Sequence, residues 1–194
     1  VRSSAASDVY KRQTEASKTI KLENSETKAY TTGGRGIEAL FTEWIIKSLK
    51  KGGEANIILP DGIFTNIAND KLKKLILDSC YIESIISLPV GTFFNTPKKT
   101  FILTVHKKND NELNIAQPYP IFTYLCSTIG ETMDSYRFDI EGNDLRDAVD
   151  LYTLYKTNKT HSVILNAVNE NPRAKLIPCL LYTSPSPRDY AASR

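Results

Sequence analysis

Apolar and polar positions along the chain follow two periods, and their alternation lays out the elements. From Ile37 to Lys51 the apolar residues Ile37, Leu40, Phe41, Trp44, Ile45 and Leu49 recur at helical spacing. They predict an amphipathic helix, with Lys47, Lys50 and Lys51 at its negative end and Gly52-Gly53 closing it. "EANIILP", Glu54–Pro60, is a short isoleucine-rich run and reads as a buried strand. "DGIFTN" is the turn after it. A second amphipathic helix spans Ala68–Cys80, with Leu72, Leu75, Ile76 and Cys80 on one face. Tyr81–Leu88 is a second β-rich run, Pro89–Lys99 a loop and Thr100–His106 a third strand. After a polar turn at Lys107–Gln117, Tyr119–Cys126 is a further extended segment. "STIGETMDSYRFDIEGND" reads as irregular. Leu145–Tyr155 is helical, with Asn143 or Asp144 as its cap, and Asn158–Pro178 is mixed.

These elements constrain their own directions. Strand, helix and strand in succession make a βαβ unit, so the first two strands run parallel. The link from the second strand to the third holds no helix, so that pair runs antiparallel. An α/β fold follows, with a parallel sheet that ends in an antiparallel strand.

The chain ends change the composition. "CLLYTS", Cys179–Ser184, and Asp8–Gln13 can be encoded by the same short DNA in opposite orientations. That DNA resembles the transposon-end adaptor of shotgun sequencing libraries. We therefore expect Val1–Gln13 and Cys179–Arg194 to be translated adaptor, and the gene to have been cut at both ends. The whole chain has 25 Lys/Arg against 22 Asp/Glu, a formal charge of +3, but five of the basic and two of the acidic residues lie in these ends. The central stretch is neutral, so any footprint for nucleic acid must be local. Cys80 and Cys126 have no metal-site spacing, which points to a reduced, cytosolic protein without a disulfide framework. No apolar run approaches the roughly 20 residues that span a bilayer.

Few motifs carry chemistry. "GGRG", 33–36, lacks a preceding strand and the full spacing of a dinucleotide loop, and reads as a lead-in to the helix. Neither a phosphate-loop lysine motif nor G-x-S-x-G nor H-E-x-x-H occurs. His106 and His161 sit in no ligand pattern, and no metal site is expected. Asp134, Asp139, Glu141 and Asp144 read as a solvated acidic face. Pro60, Asp61 and Gly62 lie at the carboxyl end of a strand, where open α/β sheets collect ligands, though Asp-Gly also makes ordinary tight turns. The loop Pro89–Lys99 leaves the same rim. At about eleven residues it exceeds a usual hairpin link. An aromatic there can stack on a base, and Lys98 or Lys99 can neutralise a phosphate. Phe93 and Phe94 can equally plug the end of the sheet; we expect one ring inward and the other towards a ligand.

Gly36–Lys108 resembles the C-terminal half of the catalytic domain of N6-adenine DNA methyltransferases. The modification subunits of type I restriction systems and their fused relatives are the nearest in pattern. The likeness rests on Leu49–Gly53, a helix ending "LKKGG"; Ile58–Gly62, "ILPDG"; Ile85–Pro89, "IISLP"; and Gly91–Thr100, "GTFFNTPKKT". A weaker likeness continues to Lys156.

The resemblance implies a partial Rossmann-like class I methyltransferase sheet. It implies transfer of a methyl group from S-adenosylmethionine to adenine N6 of an extruded base in a restriction-modification system. DNA, a specificity subunit and a restriction subunit are the implied partners, in a prokaryotic cytoplasm. The family's Asn/Asp-Pro-Pro-aromatic motif and its cofactor glycine loop are missing here, since both lie upstream of Ile37 in the family pattern. No catalytic residue is therefore expected in the chain, and alone it is expected to be inactive. Phe94, and second to it Phe93, are implied to contact the base. Asn95, Thr96, Lys98 and Lys99 would approach DNA, and Pro60, Asp61 and Gly62 would line the rim. Two alternatives stay open: a methyltransferase of the same fold acting on a non-DNA substrate, or a non-catalytic DNA-binding or assembly module. The expected division is adaptor at 1–13, linker at 14–35, methyltransferase core at 36–108, a mixed α/β segment at 109–178 and adaptor at 179–194.

Overall fold

A computed structural model describes residues 30–34, 36–93, 97–113 and 115–178. Both expected adaptor segments, most of the expected linker, and Phe94, Asn95 and Thr96 lie outside the described residues. The elements are α1 (Ile37–Ser48), β1 (Glu54–Pro60), α2 (Gly62–Thr65), α3 (Asp70–Ser79), β2 (Cys80–Ser87) and β3 (Thr100–Lys107). β4 (Ile121–Leu125), β5 (Ile129–Glu131), β6 (Asp139–Asn143), α4 (Asp144–Thr157), α5 (Ser162–Glu170) and β7 (Ala174–Ile177) follow.

Five strands form one sheet in the order β1-β3-β2-β4-β7. β3 is antiparallel to both β1 and β2, so β1 and β2 share a direction without touching. β4 runs parallel to β2, and β7 closes the far edge antiparallel to β4. The reversed strand follows from the chain itself: a link without a crossover helix cannot carry β3 back to a parallel start. Helices cover both faces. Ala39 and Ile46 of α1, with Leu72 and Ile76 of α3, pack on Ile57, Leu59, Leu103 and Val105. On the other face Ala148 and Tyr155 of α4, with Val168 of α5, pack on Ile86, Phe122 and Tyr124. Buried hydroxyls cross the middle of the sheet: Ser84 Oγ donates to Thr104 Oγ1 at 2.8 Å, which donates to Asn56 Oδ1 at 2.7 Å.

Four local expectations change. First, α1 ends at Ser48, because Leu49 turns to an extended conformation. It is also rotated: Ala39, Leu40, Thr42, Glu43 and Ile46 are buried, while Ile37, Phe41 and Trp44 are about half exposed. Glu43 explains the rotation. Its carboxylate, fully enclosed, accepts from Thr31 N at 2.6 Å, Thr32 N at 3.2 Å and Thr32 Oγ1 at 2.5 Å, and pairs with Lys47 at 2.6 Å. A charge so satisfied holds a buried position that an apolar pattern cannot reveal. Second, β1 is an edge strand with only one face covered; Glu54, Asn56 and Ile58 are exposed, so it is not buried throughout. Third, the "irregular" stretch holds the β5–β6 hairpin, whose short strands bury neither face and so carry no apolar alternation. Fourth, Asp134 and Asp144 are tied into the fold rather than merely solvated. Asp134 Oδ1 accepts from Thr132 Oγ1, Tyr136 N and Arg137 N, and Asp144 Oδ2 accepts from Ser127 N and pairs with Arg173. The α3, β2 and β3 expectations hold to within a residue or two, and Asn143 caps α4 by accepting from Leu145 N and Arg146 N.

A bulge between Ile82 and Ser84 is accompanied by a buried Glu83. Tyr119 OH donates to it at 2.6 Å and Lys159 pairs with it, its ammonium 4.0 Å from the Tyr119 ring centroid. Burial first, and then this hydrogen bond, push the Tyr119 phenol far above its ordinary value. The cluster fastens the 109–178 segment to the first strands.

Burial alone would raise the Glu43 carboxyl, but Lys47, Thr31 and Thr32 outweigh it and bring it to about 2. A depressed folded pKa stabilises fully above the unfolded-state value, and that stability is lost as pH falls from there through about 2. Glu43→Gln should lower stability at pH 7 by about 1–3 kcal/mol in urea unfolding, and flatten the acid limb of the stability–pH curve. Superimposable curves for the two proteins would contradict this role.

Candidate nucleic-acid interface

The rim at the carboxyl ends of β1 and β2 gathers most of the described residues singled out from the sequence. β1 ends at Pro60, opposite Thr100, the first residue of β3. Asp61 N donates to Lys99 O at 3.0 Å, and Leu88 N to Thr100 O at 3.0 Å. The loop from β2 to β3 is thus pinned at its far end onto the turn after β1. Asp61 O then accepts from Phe64 N and Thr65 N, which starts α2. Asn69, itself buried, donates Nδ2 to Gly62 O at 3.0 Å, and Lys73 Nζ donates to Phe64 O at 3.1 Å. The Pro-Asp-Gly turn is therefore built, not merely tolerated.

An open cleft of about 370 Å³ lies over this turn, lined by Gly36, Glu38, Pro60, Asp61, Gly62, Ile63, Asn66 and Lys98. Gly36 leads into α1 at φ 102°, and a Cβ there would fall 2.7 Å from Glu38 Oε2. Gly36, the last residue of "GGRG", thus reaches the cleft wall, which the spacing of that motif did not announce. Lys99 stands apart from Lys98, with its Nζ 5.9 Å from the centroid of the Phe101 ring. Phe101 in turn meets Phe64 edge-on at 5.3 Å. Phe93 is 37 % exposed, so its ring is not sealed in the core. Arg137, unnoticed in the sequence, donates Nη2 to Gly91 O at 2.7 Å and to Thr92 O at 2.9 Å. Only a pairing of the distant hairpin with the loop reveals it, and no local pattern encodes that.

A mixed α/β sheet with a reversed strand inserted between two that run parallel, and a cleft at the carboxyl end of β1, is the kind of partial Rossmann-like sheet that the resemblance implies. The chain belongs to the N-6 DNA Methylase family, whose model matches residues 10–178. It is similar to the type I restriction enzyme EcoKI methylase subunit of Escherichia coli (strain K12), 31% identical over 64 residues. That match covers 32% of this chain and 12% of the relative. It is 40% identical over 55 residues to the EcoEI methylase subunit of Escherichia coli, across 28% of this chain and 11% of that one. The chain thus spans about an eighth of the length of the curated relatives it matches. In fold it is similar to a chain from a type I R-M system structure, with a TM-score of 0.57 at 18% identity, over 88% of this chain and 37% of the other.

The described residues do not fit a complete S-adenosylmethionine site. The cleft offers the carboxylates of Glu38 and Asp61 and the Pro60-Asp61-Gly62 turn after β1, but no aromatic among its described lining. Among the described residues, no helix is long and apolar enough to cross a membrane. Cys126, pushed up to about 11 by burial, is a poor nucleophile at neutral pH.

Asn69→Ala should cost about 1 kcal/mol, because it removes the buried Nδ2 donor and leaves the Gly62 carbonyl only the Asn66 N–H at 3.2 Å. Urea unfolding measures the loss; a midpoint unchanged from wild type would show that the turn holds itself.

Proposed function

We propose that the protein is part of the catalytic domain of a site-specific DNA methyltransferase, which passes a methyl group from S-adenosylmethionine to adenine N6 in a type I restriction-modification system. One observation carries the reading. In a chain of the N-6 DNA Methylase family, the reversed β3 brings the Phe- and Lys-bearing loop against the Pro-Asp-Gly turn. In this reading the chain supplies a wall of the site. Its cofactor is held mainly by groups that these residues do not provide. Lys98 faces the cleft and offers positive charge to a phosphate. Phe93, Phe94, Asn95, Thr96 and Lys99 belong to the same DNA-facing loop, with Phe94 against the extruded base. Pro60, Asp61 and Gly62 form the rim. DNA is the substrate, specificity and restriction subunits are the protein partners, and the compartment is the cytoplasm. The residue boundaries at 36–108 for the core and 109–178 for the segment after it belong to the same proposal.

In the full-length protein carrying this chain, Phe94→Ala should weaken binding to duplexes with an abasic or mismatched target by about 1–3 kcal/mol. Lys98→Ala should weaken all duplexes alike and reduce the slope of log K against log salt by about 0.9. Fluorescence anisotropy across a salt series measures both. Unchanged binding and methylation rate for Phe94→Ala would remove that ring from the site.

A further inference from the structure

The hairpin β5–β6 lies outside the four sequence motifs on which the likeness rests, yet its tip lies on the loop after β2. Asp134 shapes that tip: Oδ1 accepts from Thr132 Oγ1 at 3.0 Å, Tyr136 N at 2.9 Å and Arg137 N at 3.1 Å. Arg137 is held at φ 54°, a left-handed conformation that a non-glycine side chain adopts only when its surroundings enforce it. The result aims its guanidinium across the gap. Nη2 reaches the carbonyls of Gly91 and Thr92 at 2.7 and 2.9 Å, while Nη1 approaches Thr132 O at 3.5 Å. A Cβ at Gly91 would sit 3.5 Å from Met133 Cβ, so loop backbone and hairpin tip are in direct contact. The loop is thereby fastened on both sides of its Phe and Lys residues, by Arg137 at Gly91-Thr92 and by Asp61 at Lys99.

Beside the fork, Tyr136 and Phe138 stack at 5.9 Å with their planes 20° apart, and they are 80 % and 62 % exposed. Two parallel rings left in solvent next to a phosphate-capable loop offer flat π surface, and an unpaired nucleobase presents the same chemistry.

We propose, resting on the reading above, that the hairpin tip is the second half of the nucleic-acid site. Arg137 is a positioning residue that sets the loop, and Tyr136 and Phe138 are a stacking surface for an unpaired base. The fork matters, not the charge alone: Nη2 holds the two loop carbonyls while Nη1 turns to Thr132 O and Met133 Sδ of the hairpin, a span that the single ammonium of a lysine does not make.

The test uses the full chain and a fluorescein-labelled single-stranded DNA, followed by anisotropy over a salt series. Tyr136→Ala combined with Phe138→Ala should lower affinity about tenfold or more with the salt slope unchanged. Arg137→Lys should also lower affinity at an unchanged slope, and should speed amide hydrogen exchange at Val90–Phe93 in the free protein. The ring positions are exposed and their variants should melt as the wild type does, which circular dichroism checks. Wild-type affinity in the double variant overturns the stacking surface. Wild-type affinity and exchange in Arg137→Lys, or a salt slope in Arg137→Ala shallower by about 0.7, overturns the positioning role. If the unsubstituted chain itself binds no DNA, the functional reading falls; if it binds and these variants match it, this inference alone falls.

Discussion

Everything at the rim depends on β3 running antiparallel between β1 and β2. A strand inserted this way must begin at the carboxyl end of β1 and β2, so the link from β2 to β3 reverses at that rim. That reversal delivers Lys99 O to Asp61 N and sets Thr100 opposite Pro60. Had a crossover helix intervened, β3 would start at the opposite end of the sheet, and the loop and the Pro-Asp-Gly turn would lie a strand length apart. The cleft lined by Pro60, Asp61, Gly62 and Lys98 is a consequence of strand direction before it is a consequence of side chains.

Local polar anchors then hold what topology brings near. Glu43 ties the approach to α1, Glu83 ties the later segment to β2, Asn69 ties the Pro-Asp-Gly turn, and Asp134 shapes the tip that carries Arg137. Glu43, Glu83 and Asn69 are buried polar groups where an apolar residue would otherwise be expected, and Asp134 is an exposed carboxylate that accepts three bonds. Such groups stabilise little by area, but leaving any one of their partners unsatisfied is costly. They concentrate around the segments that connect elements, which is where the fold has the least apolar surface to specify conformation.

The succession along the chain and the direction of the first three strands and two helices were legible in the sequence, because period and link length decide them; the insertion of β3 between β1 and β2 was not. Leu72 and Ile76 on α3 behaved as their spacing implied. The rotation of α1 was not legible, since Phe41 and Trp44 are better hydrophobes than Glu43, and only Thr31 and Thr32 arriving from outside the helix reverse the preference. The edge position of β1 was hidden for a related reason: a run of isoleucines does not say whether a neighbour covers its second face. At the candidate site, Pro60, Asp61, Gly62 and Lys98 were legible from strand ends and charge. Arg137 was not, as its partners Gly91 and Thr92 lie far away in sequence and are backbone carbonyls, which leave no trace in residue types.

The most direct measurement of the central claim is photo-crosslinking of iodouracil-substituted DNA to the chain, with the attachment points mapped by mass spectrometry. The account predicts adducts on aromatic residues of Pro89–Lys99 and of the β5–β6 tip, at the carboxyl rim of the sheet. Adducts confined to the α4–α5 face, or to the exposed Phe41 and Trp44 of α1, would contradict it.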